Sequence, residues 1–293
     1  MKELVVISGK GGTGKTSVTA SLAVMAGRSV IADCDVDAAD LHLVLKPETV
    51  IRRDFFSGRE AVIRPAVCTG CGVCREVCRF EAVDKAGDVF RIDRASCEGC
   101  GVCVWNCPEK AIDFNERLCG EWVVSKTDCG PMVHARLGTA AENSGKLVAT
   151  VRREARRIAE RENIPLVLVD GPPGIGCPVI ATVTGASHVL VVTEPTVAGE
   201  HDLERVLALA RHFGVPASIA VNKWDLNPGM TERIEEEARR LGALPIGRIR
   251  YDPGVTRAQV QGIAVVATDA ACAPDLRVLR ERIAAETGLV PLK

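Results

Sequence analysis

The fold is decided by Gly9-Lys10-Gly11-Gly12-Thr13-Gly14-Lys15-Thr16, a glycine-rich stretch close to the N-terminus. It fits the phosphate-loop pattern G-x4-G-K-[ST], in which glycines allow backbone N–H groups to face phosphate oxygens. An apolar strand is predicted before it at 4–8, and a helix is predicted after it at 15–26. This setting favours a true phosphate loop, because the positive N-terminal end of a helix attracts an anion.

Each part of this loop has a predicted role in holding a nucleotide. The ammonium group of Lys15 would contact the β- and γ-phosphates, and the hydroxyl of Thr16 would help to hold Mg²⁺. The predicted phosphate-binding residues are Gly9, Lys10, Gly11, Gly12, Thr13, Gly14, Lys15, Thr16 and Ser17. The N-terminal segment therefore predicts a site for a nucleotide and its magnesium ion.

Outside a cysteine-rich middle part, the chain alternates strands with helices. Apolar runs predict strands at 29–33, 166–169, 188–193, 217–222 and 244–249. Helical patterns are found at 144–162, 199–213 and 231–241. Only 3% of the residues are aromatic, so that Val, Ile, Leu and Ala must supply the core, as is typical of a parallel sheet. We therefore predict an α/β fold, a P-loop NTPase with a parallel sheet and helices on both faces.

The chain has thirteen cysteines, and eight of them lie between Cys68 and Cys107. The spacing C-x2-C-x2-C-x3-C occurs twice, at Cys68, Cys71, Cys74 and Cys78 and again at Cys97, Cys100, Cys103 and Cys107. This is the bacterial two-cluster ferredoxin pattern, in which the fourth cysteine of each run ligates the other cluster. One [4Fe–4S] cluster is thus predicted on Cys68, Cys71, Cys74 and Cys107, and a second on Cys97, Cys100, Cys103 and Cys78.

Two other uses of the cysteines fit less well. A zinc ribbon takes four thiolates from two separated pairs, which differs from two triplets that each have a fourth cysteine. Disulfides do not persist in the cytoplasm, where we expect this chain because its N-terminus enters a strand without a secretory segment. One position departs from the ferredoxin pattern, since Cys78 is followed by Arg79 whereas Cys107 is followed by Pro108. We expect altered packing there and not the loss of a cluster.

The cysteine-rich segment interrupts the alternation of strands and helices, so we predict that it is an inserted domain. The predicted insert is 59–115, a small α+β domain of the bacterial ferredoxin type, and the nucleotide-binding domain comprises 1–58 and 116–293. Without the insert, the remaining chain has an ordinary size for one α/β domain.

In this order the motifs resemble the MinD/ParA/Mrp superfamily of P-loop ATPases, in particular members with an inserted two-cluster ferredoxin domain. The likeness rests on the second lysine of the loop, Lys10, on Asp33-Cys34-Asp35-Val36-Asp37, and on Leu166-Val-Leu-Val-Asp170 with the Gly-Pro-Pro-Gly174 that follows. The resemblance implies ATP hydrolysis. It also implies an ATP-dependent homodimer, in which Lys10 reaches the phosphates of the facing subunit.

The same resemblance implies roles for individual polar residues. Lys10, Lys15 and Asp35 would be catalytic, and Asp35 would orient or deprotonate the attacking water. Thr16, Asp33 and Asp170 would hold Mg²⁺, directly or through water. Asn222, which follows a predicted strand, would bond the edge of the adenine base.

Three functions are compatible with these motifs. The first is an ATPase that couples dimer switching to electron transfer through the clusters, with an unidentified redox or metal-cluster protein as its partner. The alternative is a carrier ATPase for the assembly of iron–sulfur or heterometal clusters, and the third is a spatial-positioning ATPase. A net charge of −1 argues against a nucleic acid as partner. The helix predicted at 275–287 mixes Arg and Glu, unlike a basic membrane-binding helix, so no stable membrane anchor is expected.

Cysteines outside the two runs supply one further hypothesis. Cys177 lies seven residues after Asp170, the spacing at which the nitrogenase iron protein, a member of the resembled class, carries a ligand of its dimer-bridging cluster. Cys129 matches the other ligand position loosely. The hypothesis is that Cys129 and Cys177 of two subunits bind a third cluster or a metal ion.

Overall fold

The chain divides into two compact units in a computed structural model that describes residues 1–138 and 144–289. Within these described residues, the first unit comprises 1–53, 122–136 and 144–289, and the second comprises 54–121 and 137–138. The strands are β1 (Lys2–Ser8), β2 (Val30–Asp33), β3 (Glu48–Ile63), β4 (Val83–Ala86), β5 (Val89–Ile92), β6 (Ile112–Thr127), β7 (Gly130–Leu137), β8 (Leu166–Pro173), β9 (His188–Thr193), β10 (Ala217–Asn222) and β11 (Leu244–Ile249). The helices are α1 (Lys15–Ala26), α2 (Leu41–Leu45), α3 (Val73–Glu76), α4 (Val102–Asn106), α5 (Ser144–Arg161), α6 (Cys177–Val183), α7 (Val197–His212), α8 (Pro228–Arg240), α9 (Gly254–Gln261) and α10 (Ala273–Thr287).

The main sheet has the strand order β11-β10-β9-β1-β8-β2-β7-β6-β3. Strand β1 is parallel to both of its neighbours, β8 and β9, and the pairs β2–β8, β2–β7, β9–β10 and β10–β11 are also parallel. Two residues connect β6 to β7, and so short a connection joins antiparallel strands. The prediction of an α/β fold with a largely parallel sheet is therefore confirmed.

Strand β1 is buried on both faces. Leu4 and Val6 lie in a core that also contains residues of α1 and α10. Val5 and Ile7 are fully buried as well, and they face the other side because side chains alternate along a strand. On that side Ile7 and Thr182, a residue of α6, both approach Gly171. Apolar residues therefore occupy every position of this central strand from Leu4 to Ile7, without a polar face.

The second unit has its own small apolar core. A two-stranded antiparallel sheet of β4 and β5 packs with the short helices α3 and α4. Its buried apolar residues are Ala61, Ile63, Cys74, Val83, Phe90 and Ile112, and five further cysteines pack against them. This core is far smaller than that of the first unit, so cross-links or bound groups would contribute a large share of its stability.

The sequence did not predict three strands that connect the nucleotide-binding part to the cysteine-rich part. These are β3, β6 and β7, and the predicted insert boundaries, 59 and 115, fall inside β3 and β6. Much of β3 is exposed, including Val50 and Ile51, so it lacks the continuous buried pattern on which the other strands were predicted. Within the described ranges, none of the helices is long and apolar enough to cross a membrane.

Candidate nucleotide site and cysteine cavities

The polar residues of interest gather where the parallel strands end. The glycine-rich loop follows β1, Asp33 ends β2, Asp170 lies in β8, and Asn222 ends β10. Asp33 and Asp170 are direct neighbours in the register of β2 and β8. Ligands of open α/β sheets bind outside the carboxyl ends of the strands, so this edge is the candidate site.

The conformation of the loop requires glycine at two positions. Gly12 and Gly14 have φ values of +80° and +89°, in the left-handed region that other residues rarely adopt. A side chain at Gly14 would also place its Cβ 2.4 Å from Nδ2 of Asn222. The hydroxyl of Thr13 is buried without a hydrogen-bond partner, as expected of a group that awaits a ligand.

Lys15 lies among carboxylates at the start of α1. Its Nζ is 3.1 Å from Oδ1 of Asp170 and 3.4 Å from Oδ2 of Asp35, and its side chain is only 7% exposed. Burial lowers the pKa of Lys15, but the attraction of Asp170 and Asp35 outweighs burial and raises the pKa above its ordinary value. Lys15 is therefore a fixed positive charge at the base of the loop.

Two hydroxyl groups fix the carboxylate of Asp170. Thr16 Oγ1 donates to one oxygen at 2.8 Å, and Thr19 Oγ1 donates to the other at 2.9 Å. Thr16 and Asp170 are thus adjacent, as a shared magnesium ion requires, because Mg²⁺ is commonly held through one or two carboxylates and a hydroxyl. Thr19 was not predicted from the sequence.

Asp33 and Asp35 differ in their surroundings. Asp33 is fully buried and accepts hydrogen bonds from the backbone N–H of Asp35 at 3.2 Å and of Leu41 at 3.3 Å. Burial and the charge of Asp170 raise the pKa of Asp33 well above its ordinary value. Burial also raises the pKa of Asp35, although Lys15 opposes this shift. A carboxylate with a raised pKa accepts a proton more readily, which suits the role implied for Asp35.

Lys10 does not approach these acids. Its Nζ forms an ion pair with Oε2 of Glu194 at 3.3 Å, and Glu194 follows β9. The other oxygen of Glu194 accepts a hydrogen bond from Nζ of Lys223, the residue after β10. Lys10 and Lys223 therefore share one carboxylate. Neither Glu194 nor Lys223 was predicted from the sequence, although both directly follow strands of the parallel sheet, where site residues concentrate.

Asn222 contacts the loop backbone. Its Nδ2 donates to the carbonyl of Thr13 at 2.7 Å, and its Oδ1 accepts from the N–H of Lys223 at 3.0 Å. The role implied for Asn222, bonding of the adenine edge, stays a prediction. The side chain of Asn222 thus braces the phosphate loop.

A cleft of about 800 Å³ opens above the loop. Its lining includes the loop from Gly11 to Ser17, Asp35, and Arg250 and Tyr251 from the segment after β11. This volume lies within the range of ordinary small-molecule sites, roughly 300–1,000 Å³. The cleft can therefore hold a nucleotide whose phosphates lie on the loop.

In the second unit, the eight clustered cysteines line two separate small cavities. The first cavity is lined by Cys68, Cys71, Cys74 and Cys107, with Ile63 and Phe90 among its apolar walls. The second is lined by Cys78, Cys97, Cys100 and Cys103, with Ala61 and Val83 among its walls. In each cavity the fourth cysteine comes from the other repeat. The cysteines are thus grouped as the spacing predicts, and their role as cluster ligands stays a prediction.

The two repeats have the same backbone conformation around their cysteines. Gly70 and Gly99, at equivalent positions, have φ values of +70° and +63°, and Gly72 and Gly101, the next equivalent pair, have +83° and +77°. A Cβ at Gly70 or Gly99 would lie 2.3 or 2.0 Å from a backbone oxygen. Close packing thus imposes glycine between the cysteines of both repeats.

No group of three or more His, Cys, Asp or Glu side chains in 1–138 and 144–289 is arranged around a single metal ion. Zinc bound by thiolates would require sulfurs about 2.3 Å from one ion, and the described cysteines do not form such a group. Of the other cysteines, Cys177 is exposed at the start of α6, whereas Cys129 is buried against the core of the first unit. The hypothesis that Cys129 and Cys177 of two subunits bind a shared centre stays a prediction.

Comparisons with known proteins agree with this fold and site. Residues 4–265 match the family model described as the CobQ/CobB/MinD/ParA nucleotide binding domain. An uncharacterized protein of Methanocaldococcus jannaschii is 34% identical over 233 residues, which are 77% of this chain and 79% of that protein.

Among solved structures, the cell division ATPase MinD of Pyrococcus furiosus matches with a TM-score of 0.59 and 19% identity, covering 97% of this chain and 98% of that one. The septum site-determining protein MinD of Pyrococcus horikoshii, in complex with Mg-ADP, matches with the same TM-score and identity over 99% of this chain and 98% of its own. At this identity the two structures show a shared fold. Together with the family model and the phosphate loop, they show that the chain belongs to the CobQ/CobB/MinD/ParA family of nucleotide-binding domains.

Proposed function

We propose that the chain is an ATP-hydrolysing iron–sulfur protein, in which nucleotide-driven dimerisation is coupled to electron transfer through two [4Fe–4S] clusters. The observation that carries the iron–sulfur part is the division of eight cysteines into two cavities, each lined by three cysteines of one repeat and the fourth of the other. The family and the phosphate loop support the nucleotide part.

The arrangement of charges supports hydrolysis at the cleft. Lys15 would neutralise the β- and γ-phosphates, and Thr16, Asp170 and Asp33 would hold Mg²⁺ directly or through water. Bound Mg²⁺ supplies charge neutralisation to the phosphate oxygens. Asp35 lies at the cleft next to Lys15, where its carboxylate would orient the attacking water and accept its proton.

The position of Lys10 is compatible with the proposed dimer. In the single chain Lys10 is paired with Glu194, and its side chain is 35% exposed, so that it is accessible to a facing subunit. In the proposed dimer, Lys10 would leave Glu194 and bind the phosphates in the facing subunit. Such a change would replace one ion pair of Lys10 with another, so that its ammonium group stays compensated.

The donor set of the two cavities fits iron–sulfur clusters. Four thiolates with apolar walls are the usual ligands and surroundings of a [4Fe–4S] cluster, which supplies one-electron transfer when bound. Cys71 and Cys100 are exposed, so each set has one ligand at the surface, where an electron-transfer partner could approach. That partner would be a redox or metal-cluster protein.

The test is anaerobic purification followed by measurement of iron, sulfide and ATP hydrolysis. We expect about eight iron atoms per chain, and the loss of about four on substitution of Cys107 or Cys78 by Ser. Cys119→Ser is the matched control, because Cys119 is buried in the same unit and donates to Ser57 O at 3.1 Å, outside both cavities. Iron below about one atom per chain after reconstitution would refute the cluster assignment. Labile iron that passes to an apo-protein would favour the cluster-carrier alternative.

A spatial-positioning ATPase is a second candidate function. The observation that favours it is the match to MinD structures named for cell division and septum site determination over nearly the whole chain. It predicts ATP-dependent cosedimentation with lipid vesicles or with a positioned partner, and no requirement for the eight cysteines. The electron-transfer function, in contrast, requires the eight cysteines. The same Cys107→Ser and Cys78→Ser variants therefore distinguish the two functions, because they should abolish electron transfer and leave positioning unchanged.

A further inference from the structure

Glu194 lies at the centre of three adjacent strand ends. In the sheet, β9 lies between β1 and β10, so the residue that follows it lies between the phosphate loop and the segment Asn222–Lys223. Its side chain is only 13% exposed and contacts a lysine on each side, Lys10 and Lys223. The ion pairs of Glu194 are thus more buried than an ordinary surface pair, and they connect elements that are distant in the sequence.

Lys223 contacts the phosphate loop as well as Glu194. Its Nζ is 3.4 Å from the carbonyl oxygen of Gly12, and the neighbouring Asn222 binds the carbonyl of Thr13. In a trans peptide the C=O of one residue and the N–H of the next point in opposite directions. Holding the two carbonyls therefore directs the N–H groups of Thr13 and Gly14 away from Lys223 and Asn222, as a phosphate-binding loop requires.

The backbone of Lys223 has a strained conformation in the structure that contains its contacts with Glu194 and the carbonyl of Gly12. Its φ is +57°, in the left-handed region that a lysine adopts only at an energetic cost. No stabilising cap accompanies this conformation, since the short 3₁₀ helix that follows has no side-chain hydrogen bond at its N-terminus. The strained conformation is the one in which the ammonium group reaches both Glu194 and the carbonyl of Gly12.

We infer that Glu194 is a positioning residue of the nucleotide site: by holding Lys223 against the carbonyl of Gly12, it fixes the peptide between Gly12 and Thr13 with its N–H toward the phosphates. The inference rests on the proposed function only in taking an adenine nucleotide as ligand. Glu194 touches no nucleotide itself and acts through Lys223. Because Lys10 also binds Glu194, the test measures binding to the single chain and not dimerisation.

The experiment is titration of the full-length protein with MgADP, for wild type and for Glu194→Gln, Lys223→Met and Lys223→Gly. Each variant should bind about tenfold more weakly, which corresponds to about 1.4 kcal/mol. Lys223→Met keeps the length of the side chain and removes its charge. Lys223→Gly also removes the strain, so its melting temperature should equal or exceed that of wild type while its affinity falls. A merely structural role would lower stability and affinity together.

The decisive measurement is the coupling between Glu194 and Lys223 in a double-mutant cycle of MgADP affinities. If Glu194 acts through Lys223, the double variant Glu194→Gln/Lys223→Met should bind MgADP no more weakly than Lys223→Met alone. Glu200→Gln is the matched control, because Glu200 forms a comparable pair with Arg233 at 2.8 Å on helices α7 and α8, and its affinity should equal that of wild type.

Two results would overturn the inference: wild-type affinity in Glu194→Gln, or additive losses in the double variant. The proposed function is judged separately, by the iron content and the ATP hydrolysis of the same wild-type preparation. Absence of iron leaves the comparison of MgADP affinities unaffected, so the two failures can be distinguished.

Discussion

At the scale of single residues, the nucleotide site is a balance between one buried ammonium group and several carboxylates. Lys15 contacts Asp170 and Asp35 directly, and Asp33 lies beside Asp170 in the sheet register. An ammonium group in this position does more than bind phosphate, because it also compensates buried negative charge. Removing it should therefore affect stability as well as catalysis.

We predict that Lys15→Ala abolishes ATP hydrolysis and lowers the free energy of unfolding by about 3 kcal/mol at pH 7, since Asp170 and Asp35 lose their compensating charge. The absorption of the proposed iron–sulfur clusters should be unchanged, because Lys15 lies in the other unit. Hydrolysis is measured by phosphate release and stability by urea unfolding of the metal-loaded protein.

The double variant Lys15→Ala/Asp170→Asn is the control for this explanation. It removes one uncompensated carboxylate, so it should recover part of the lost stability while hydrolysis stays absent. Equal stability of the single and double variants would contradict the electrostatic explanation and would indicate a loss of packing around Lys15 instead.

Residues that carry a motif could be predicted from the sequence, whereas residues that act by position could not. Lys15 and Thr16 are parts of a pattern whose spacing itself implies phosphate chemistry. Glu194 belongs to no such pattern, and its role follows from the sheet order, which places β9 between β1 and β10. The approach of Asn222 to Gly14 could not be predicted either, because the two lie 208 positions apart in the sequence.

At the scale of elements, the short apolar strands of the parallel sheet were predictable, including β11, of which only Ile246 and Ile249 are buried, whereas the long strand β3 was not. Strand β9 is buried at every position, and its predicted bounds equal those observed. Strand β3 is exposed at its first seven residues, so that no apolar pattern marks where it begins. A run of apolar residues in the sequence, which burial usually requires but does not by itself define, therefore made a strand predictable here.

His188, at the start of β9, predicts how the free energy of unfolding depends on pH. Burial lowers the pKa of His188 from 6.5 to about 4, and its Nε2 is 2.8 Å from Oγ of Ser218. His188 therefore takes up a proton below about pH 6.5 in the unfolded chain, but only below about pH 4 in the folded chain. We predict that this group alone lowers the free energy of unfolding by about 2 kcal/mol between pH 7 and pH 5.

The prediction is checked by urea unfolding of wild type and His188→Gln at both pH values, because other groups titrate equally in the two proteins. The stability of wild type relative to the variant should fall by that amount as the pH falls. A constant difference between the two proteins from pH 7 to pH 5 would show that His188 titrates normally in the fold.

The glycines between the cysteines give a second prediction at this scale. Gly99→Ala introduces a Cβ 2.0 Å from the carbonyl oxygen of Arg59, at a φ of +63°. Since backbone cannot give way cheaply, we predict that this variant loses about half of its iron or more, mainly from the cavity lined by Cys97, Cys100 and Cys103. Iron per chain is measured after anaerobic reconstitution.

Gly87→Ala is the matched control, because Gly87 lies in the same unit with a similar φ of +66° and no atom within 4 Å of the added Cβ. This variant bears the conformational strain without the clash. It should retain its iron with a loss of stability of about 1 kcal/mol. Equal loss of iron in both variants would mean that strain, and not the contact with Arg59, determines cluster binding.

At the scale of the whole molecule, the two units depend on different sources of stability. The first has an extensive core in which Val, Leu, Ile and Ala from several strands and helices pack together. The second buries only a few apolar side chains, and most of the residues that surround them are cysteines. A core of that size contributes little beyond the entropy of ordering the chain, so bound clusters would supply much of its stability.

We therefore predict that removal of iron unfolds the second unit and leaves the first able to bind nucleotide. Chelation of reduced, reconstituted protein should eliminate one of two thermal transitions, and protease should then cut within 54–121. MgADP should still raise the temperature of the remaining transition, because its binding residues all belong to the first unit. Loss of MgADP binding on chelation would contradict this prediction, because it would mean that the first unit also depends on iron for its stability. Unchanged transitions and an unchanged protease pattern would contradict it as well, because they would mean that iron does not stabilise the second unit.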